Sequence, residues 1–159
     1  MFSPTIRANG KPFTRNSVSV RPNGLLRLTG IDSVNWSDEV AMDLVPGMND
    51  QGMPLGVAVG NYTCAASISF YPDEAGLFEN MILALNPLAA GNLSAAVFQL
   101  PIVMREDLRV RMVTIVNARI KGRSVSVSND GSALVQEYQL QPMLVLEDGK
   151  SLVSLIPAL

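Results

Sequence analysis

The sequence predicts a mainly β fold: two packed antiparallel sheets in a barrel-like sandwich, flanked by one α-helix at about residues 73–85 and carrying one long loop at about 37–58. Three observations predict it. From Asn61 to Tyr71 apolar and polar residues alternate with a period of two. From Arg109 to Lys121 a second alternating run at about 3.3 Å per residue reaches about 43 Å, several times the radius of gyration of about 15 Å of a domain this size. Only the segment Asp73 to Leu85 carries a helical stripe.

The elements follow in chain order. A short strand is expected at Ser17–Arg21, then a longer one from Leu25 to Trp36 whose alternation slips near Gly30, as at a bulge. The next strand puts Tyr62, Cys64, Ala66, Ile68 and Phe70 on one face and Thr63, Ala65, Ser67 and Ser69 on the other. Pro72 starts the helix, Asn86-Pro87 stops it, and Leu77, Phe78, Met81, Ile82 and Leu85 form its apolar stripe. A strand is expected within Ala96–Met104. The run from Arg109 sends Val110, Met112, Val116, Ala118 and Ile120 to one side. A further run, Leu134 to Leu146, places Leu134, Tyr138, Leu140, Leu144 and Leu146 one way and Glu137, Gln139 and Gln141 the other, with Pro142 at an edge or bulge. A last short strand falls at Ser151–Ile156. With 159 residues the whole chain, 1–159, fits a single domain.

The loop between Trp36 and Val59 is the least ordinary segment. Structureless connections beyond about 12 to 15 residues are uncommon and usually functional. This one carries Val40, Met42, Leu44, Val45, Met48, Met53 and Leu55, together with Val57. At about 1.5 to 3 kcal/mol for full burial of one such side chain, even partial burial favours docking. The loop is expected to pack on a neighbouring subunit in preference to folding back as a lid.

Composition excludes several function classes. There is no histidine, the side chain best suited to proton transfer near neutral pH and the commonest metal ligand. No phosphate-binding or nucleophile-elbow motif is present, and Cys64 sits mid-strand on the apolar face as a small hydrophobe. The chain is therefore expected to be no enzyme and to need neither cofactor nor metal. Its formal charge of −2 speaks against adhesive nucleic-acid binding. Charged residues are 16% of the chain, less than the roughly 25% usual in soluble proteins, which implies surface hidden in an assembly. No run approaches the roughly 20 apolar residues of a membrane helix, and no signal peptide opens the chain, so synthesis in a cytosol is expected. Asp38, Glu39 and Asp43 read as a solvated edge or as partners in inter-subunit ion pairs. Arg109, Arg111, Arg119 and Lys121, on the long strand, are the matching cations.

The order of these features carries a family resemblance. The strand from Gly24 to Trp36, the long loop, the strand from Val59 to Tyr71, the helix from Asp73, the segment Val113 to Arg119 and the closing strand through Met143 to Leu146 are arranged in a way that resembles the tail tube proteins of long-tailed bacteriophages, which share a fold with the hexameric tube protein of type VI secretion. The resemblance implies six copies closing into a ring, rings stacking into a tube that conducts DNA during ejection, and contacts with sheath, tape-measure, baseplate and terminator proteins. It implies a place in the virion tail after assembly in the host cytoplasm. Glu137, Gln139 and Gln141, or alternatively Thr63, Ser67 and Ser69, would line the channel. A type VI secretion-like tube protein and a single-ring terminator or neck protein are the alternatives.

Overall fold

The computed structural model describes residues 5–14, 17–47, 56–126 and 134–152. The chain opens with a hairpin, β1 (Thr5–Ala8) and β2 (Lys11–Thr14), joined by Asn9-Gly10. Both turn residues have positive φ, 48° and 80°, which the tight type I′ turn requires and which asparagine and glycine tolerate best. There follow β3 (Val18–Val20), β4 (Ile31–Val45), β5 (Gly56–Phe70), the helix α1 (Pro72–Leu85), β6 (Phe98–Glu106), β7 (Arg109–Ser126), β8 (Val135–Gln141) and β9 (Leu144–Glu147).

The strands join in the order β2-β1-β4-β5-β8-β7-β6-β3, with β9 also paired to β7. The mainly β, barrel-like architecture with one helix is thus as expected, but the two layers are halves of one continuous sheet. The strand responsible is β7: its first half pairs with β6 and β9, and its second half with β8. The pairing is antiparallel except between β1 and β4. At the seam, where the two ends of the sheet approach, Thr14 and Ser17 hydroxyls lie 2.7 Å apart and Lys11 pairs with Glu106. Side chains close the barrel there.

The helix plugs the interior. Phe78 is fully buried and packs on Phe70 at 4.6 Å between ring centroids, on Tyr138 at 5.2 Å and edge-on to Phe98 at 5.8 Å. Aromatic pairs in this geometry add about 0.5 to 1.5 kcal/mol each beyond their buried area. Above them, the Tyr138 hydroxyl donates to Glu79 Oε1 at 2.6 Å, and Arg123 pairs with the same carboxylate at 3.0 Å. Burial, reinforced by Glu79, raises the Tyr138 phenol above its ordinary value.

Several expectations are corrected. Most of the segment expected as a loop at 37–58 is strand: β4 runs on to Val45 and β5 starts at Gly56. The residues from Leu25 to Gly30 are not strand, because Asn23-Gly24 turns the chain with positive φ at both positions. The slip expected near Gly30 falls at Asp32, where two steps of β4 from Ile31 to Ser33 span one step of β5; Gly30 itself precedes β4 and sits where a Cβ would fall 1.8 Å from Glu74 Cγ, so its hydrogen lets the helix start approach. In β7 the buried residues are Val113 and Ile115, then Ala118 and Ile120, while Val110 and Met112 are exposed. Asn117, at φ 49°, shifts the phase between the two halves, and the register with β6 slips there. Pro142 divides the expected run of Leu134–Leu146 into β8 and β9, after which Val145, in place of Leu144 and Leu146, faces the core. On α1 the buried set is Ala75, Phe78 and Ile82; Leu77 and Leu85 are exposed. Ser151 and Leu152 are not strand, and the rest of the expected final strand lies outside the described residues.

Candidate assembly surfaces

The first surface is an arm. β8 leaves β5 at Ala66, and the β1 ladder ends at Val34 of β4. Beyond these points, among the described residues, β4 and β5 continue as a two-stranded ribbon, from Ser37 paired with Ala65 out to Val45 paired with Gly56. At its base the arm is stapled to the barrel. Val145 N–H donates to the Tyr62 hydroxyl at 3.1 Å, the hydroxyl donates to Asp38 Oδ2 at 3.1 Å, and the Cys64 thiol donates to the Pro142 carbonyl at 3.2 Å. Burial pushes both the Tyr62 phenol and the Cys64 thiol up, which keeps both groups neutral.

Side-chain parity decides what the arm presents. Val34 and Trp36 of β4 face the core, and Val40, Met42 and Leu44 continue the same side of the strand. On β5 one extra residue at Gly60-Asn61 brings Val59 opposite Met42 and Val57 opposite Leu44. The core face therefore runs past the end of the core: Met42, Leu44 and Val59 are 63, 67 and 68% exposed. Val40 is half-buried and Val45 exposed. Met48, Met53 and Leu55 lie outside the described residues.

The second surface is polar. The two sets of residues expected as alternative channel linings belong to one face, since Ser67 pairs with Gln139 and Ser69 with Glu137. Asn35 of β4 extends it, donating from Nδ2 to Ser67 Oγ at 3.4 Å, and Arg119 of β7 adjoins opposite Gln141. Thr63, Gln139 and Gln141 are exposed, Ser67 and Glu137 are half-buried, and Ser69 is buried and offers no surface. The face points away from the core residues Val34, Ile68, Tyr138 and Leu140.

The expected ion-pair residues are spread over both surfaces and the barrel mouth. Asp38 is engaged by Tyr62, and Glu39 Oε1 accepts from the Thr63 hydroxyl at 3.4 Å. Arg111 finds carboxylates on its own chain, Glu147 at 3.6 Å and Asp148 at 4.0 Å. Asp43, Arg109, Arg119 and Lys121 are exposed and enter no ion pair among the described residues. Beside Arg111, a cavity of about 250 Å³ is lined by Lys11, Phe13, Trp36, Glu106 and Glu147, among others. Each of its charged groups already meets an opposite charge, so it reads as a satisfied structural seam.

Sequence reasoning missed the β1–β2 hairpin, although Asn9-Gly10 is its usual signal. It also missed a segregation of charge: residues 28–104 contain no Lys or Arg, whereas six fall between Arg105 and Arg123.

No family model and no curated protein matches the chain. Solved structures do. A chain of the sheath/tube terminator of PVC, an extracellular contractile injection system, in its extended state superposes with a TM-score of 0.57 at 13% identity, covering 86% of this chain and 96% of that one. A chain of the PVC sheath-tube complex gives 0.55 at 14% identity, with 85% and 88% covered. A chain from the anti-feeding prophage cap, its tube-terminating cap, gives 0.55 at 12% identity, with 89% and 92% covered. At these identities the likeness concerns the fold, over nearly the full length of both partners: the chain has the tail tube fold.

Proposed function

We propose that the protein is a non-catalytic structural subunit of a tail tube, whose copies join into hexameric rings that stack around a DNA-conducting lumen. The observation that carries this reading is the arm, an apolar face of the barrel core extended beyond the barrel with nothing among the described residues beneath it. A monomer would leave that face in water, at a cost of about 25 cal/mol per Å² relative to burial. The polar face supports the same reading. Its serines, threonine and glutamines carry few charges of either sign, so phosphates passing along it meet neither a strong attraction nor a uniform repulsion. Likeness to chains of sheath-tube and cap assemblies supports sheath and terminator proteins as further partners; a tape-measure protein, a baseplate and a place in the virion tail are part of the same proposal.

A second reading, a terminator that forms one ring and stops, is favoured by the two neighbours drawn from terminator and cap assemblies. Negative-stain electron microscopy of the purified protein separates the two. Stacked rings or tubes, lost on deletion of residues 43–54, are the expected result. Rings that never elongate would favour the terminator, and a stable monomer at high concentration would overturn both.

A further inference from the structure

The outer wall of β6 and β7 carries a second apolar surface that no element among the described residues covers. On the outer side of β6 and β7, Val103 pairs with Met112 and Arg105 with Val110; Leu146 of β9 extends the strip opposite Thr114. Val110 and Met112 are 64 and 47% exposed. We propose that this strip is the receptor for the arm of a second copy of the chain, with the apolar side of the arm laid across the outer face of β6–β7 as a sheet-on-sheet contact. The inference rests on the self-assembly reading and names the surface it uses.

Parity excludes the chain's own described arm as the cover of the strip. The apolar side of the arm continues the inner face of the barrel, while the strip is on the outer face, so a straight ribbon cannot turn one onto the other within a chain. Two different complementary patches on one molecule make a heterologous contact, the kind that generates rings when the rotation closes. Charge points the same way. Ser37–Val45 and Gly56–Ala65 hold Asp38, Glu39 and Asp43 and no cation, whereas Arg105 stands in the strip and Arg109 opens β7 beside it; of the two carboxylates between them, Glu106 is paired with Lys11 and Asp107 is exposed. Opposite fields of this kind orient approach over about a Debye length, roughly 8 to 10 Å.

Complementation in trans tests the pairing. One variant carries Leu44→Asp with Val59→Asp and so keeps an intact strip; the other carries Val110→Asp with Met112→Asp and keeps an intact arm. All four side chains are largely exposed, and the single tryptophan reports whether each variant is folded. Neither variant alone is expected to exceed a monomer in native mass spectrometry, while an equimolar mixture gives a complex of two chains through the one remaining intact arm and strip. A strip variant that assembles like the wild type, or a mixture that stays monomeric, overturns the pairing. A wild-type chain that never associates overturns the assembly reading itself and is recognised before any variant is made.

Discussion

The Trp36 indole donates a 2.8 Å hydrogen bond from Nε1 to Glu147 Oε1, tying β4 to β9 across 111 positions of chain. Trp36 also donates its backbone N–H to Asn9 Oδ1 at 2.8 Å, so one residue anchors the first hairpin, the base of the arm and the last strand. Replacing Glu147 with Ala strands the buried indole N–H and removes one of the two carboxylates that Arg111 meets. A loss of about 1 to 3 kcal/mol is expected, measured by urea denaturation, with a red shift in tryptophan emission. Glu147→Gln, which keeps an acceptor, should cost less.

Gly30→Ala tests the close approach of the helix. The new Cβ would meet the inner carbons of Glu74, at 1.8 and 2.6 Å, so α1 must shift. Overpacking of this kind costs about 1 to 3 kcal/mol, visible as a lower midpoint in chemical denaturation. Glu74→Ala made together with it still leaves a Cβ at the conflict and should rescue only part of the loss.

Gly10→Ala tests the opposite situation. Nothing lies within 4 Å of the added Cβ, yet φ is +80°. The strain is purely backbone, about 1 to 2 kcal/mol, and Gly10→Asn should recover much of it because asparagine tolerates the left-handed region.

Stability should fall at alkaline pH. The Tyr138 phenol is raised above its usual 10.0 by burial and by Glu79. A raised acid keeps its full stabilising contribution below pH 10 and loses it as pH climbs toward the folded value, because the unfolded chain deprotonates first. Denaturation at pH 8 to 11 should show the decline, and Tyr138→Phe should flatten it. Tyr62, raised in the same direction, leaves a residual slope.

Periodicity made the barrel legible: the face of β5 from Tyr62 to Phe70 and the helix around Phe78 follow from local alternation and need no long-range information. The arm was legible in principle, since Val40, Met42 and Leu44 alternate with Glu39, Ala41 and Asp43 as a strand does. Its glycines and prolines outweighed that signal and suggested a loop. The phase of β7 was not legible, because one left-handed residue, Asn117, reverses which side is inward without changing the composition on either side of it. The merging of the two candidate channel faces depends on β5 and β8 becoming neighbours, a pairing between segments some seventy positions apart.

The Asn117 bulge sets where this chain can change length. β7 serves both layers, and its two halves stay in phase with their separate partners only because one unpaired position sits between Ile115 and Ala118. Deleting one residue there would turn Ala118 and Ile120 outward against β8, or Val113 and Ile115 outward against β6; inserting one would do the same. A lineage that drifts in sequence while keeping this barrel would then hold the spacing across the bulge constant and accumulate its insertions and deletions elsewhere, making chain length at this point a more durable mark of descent than residue identity.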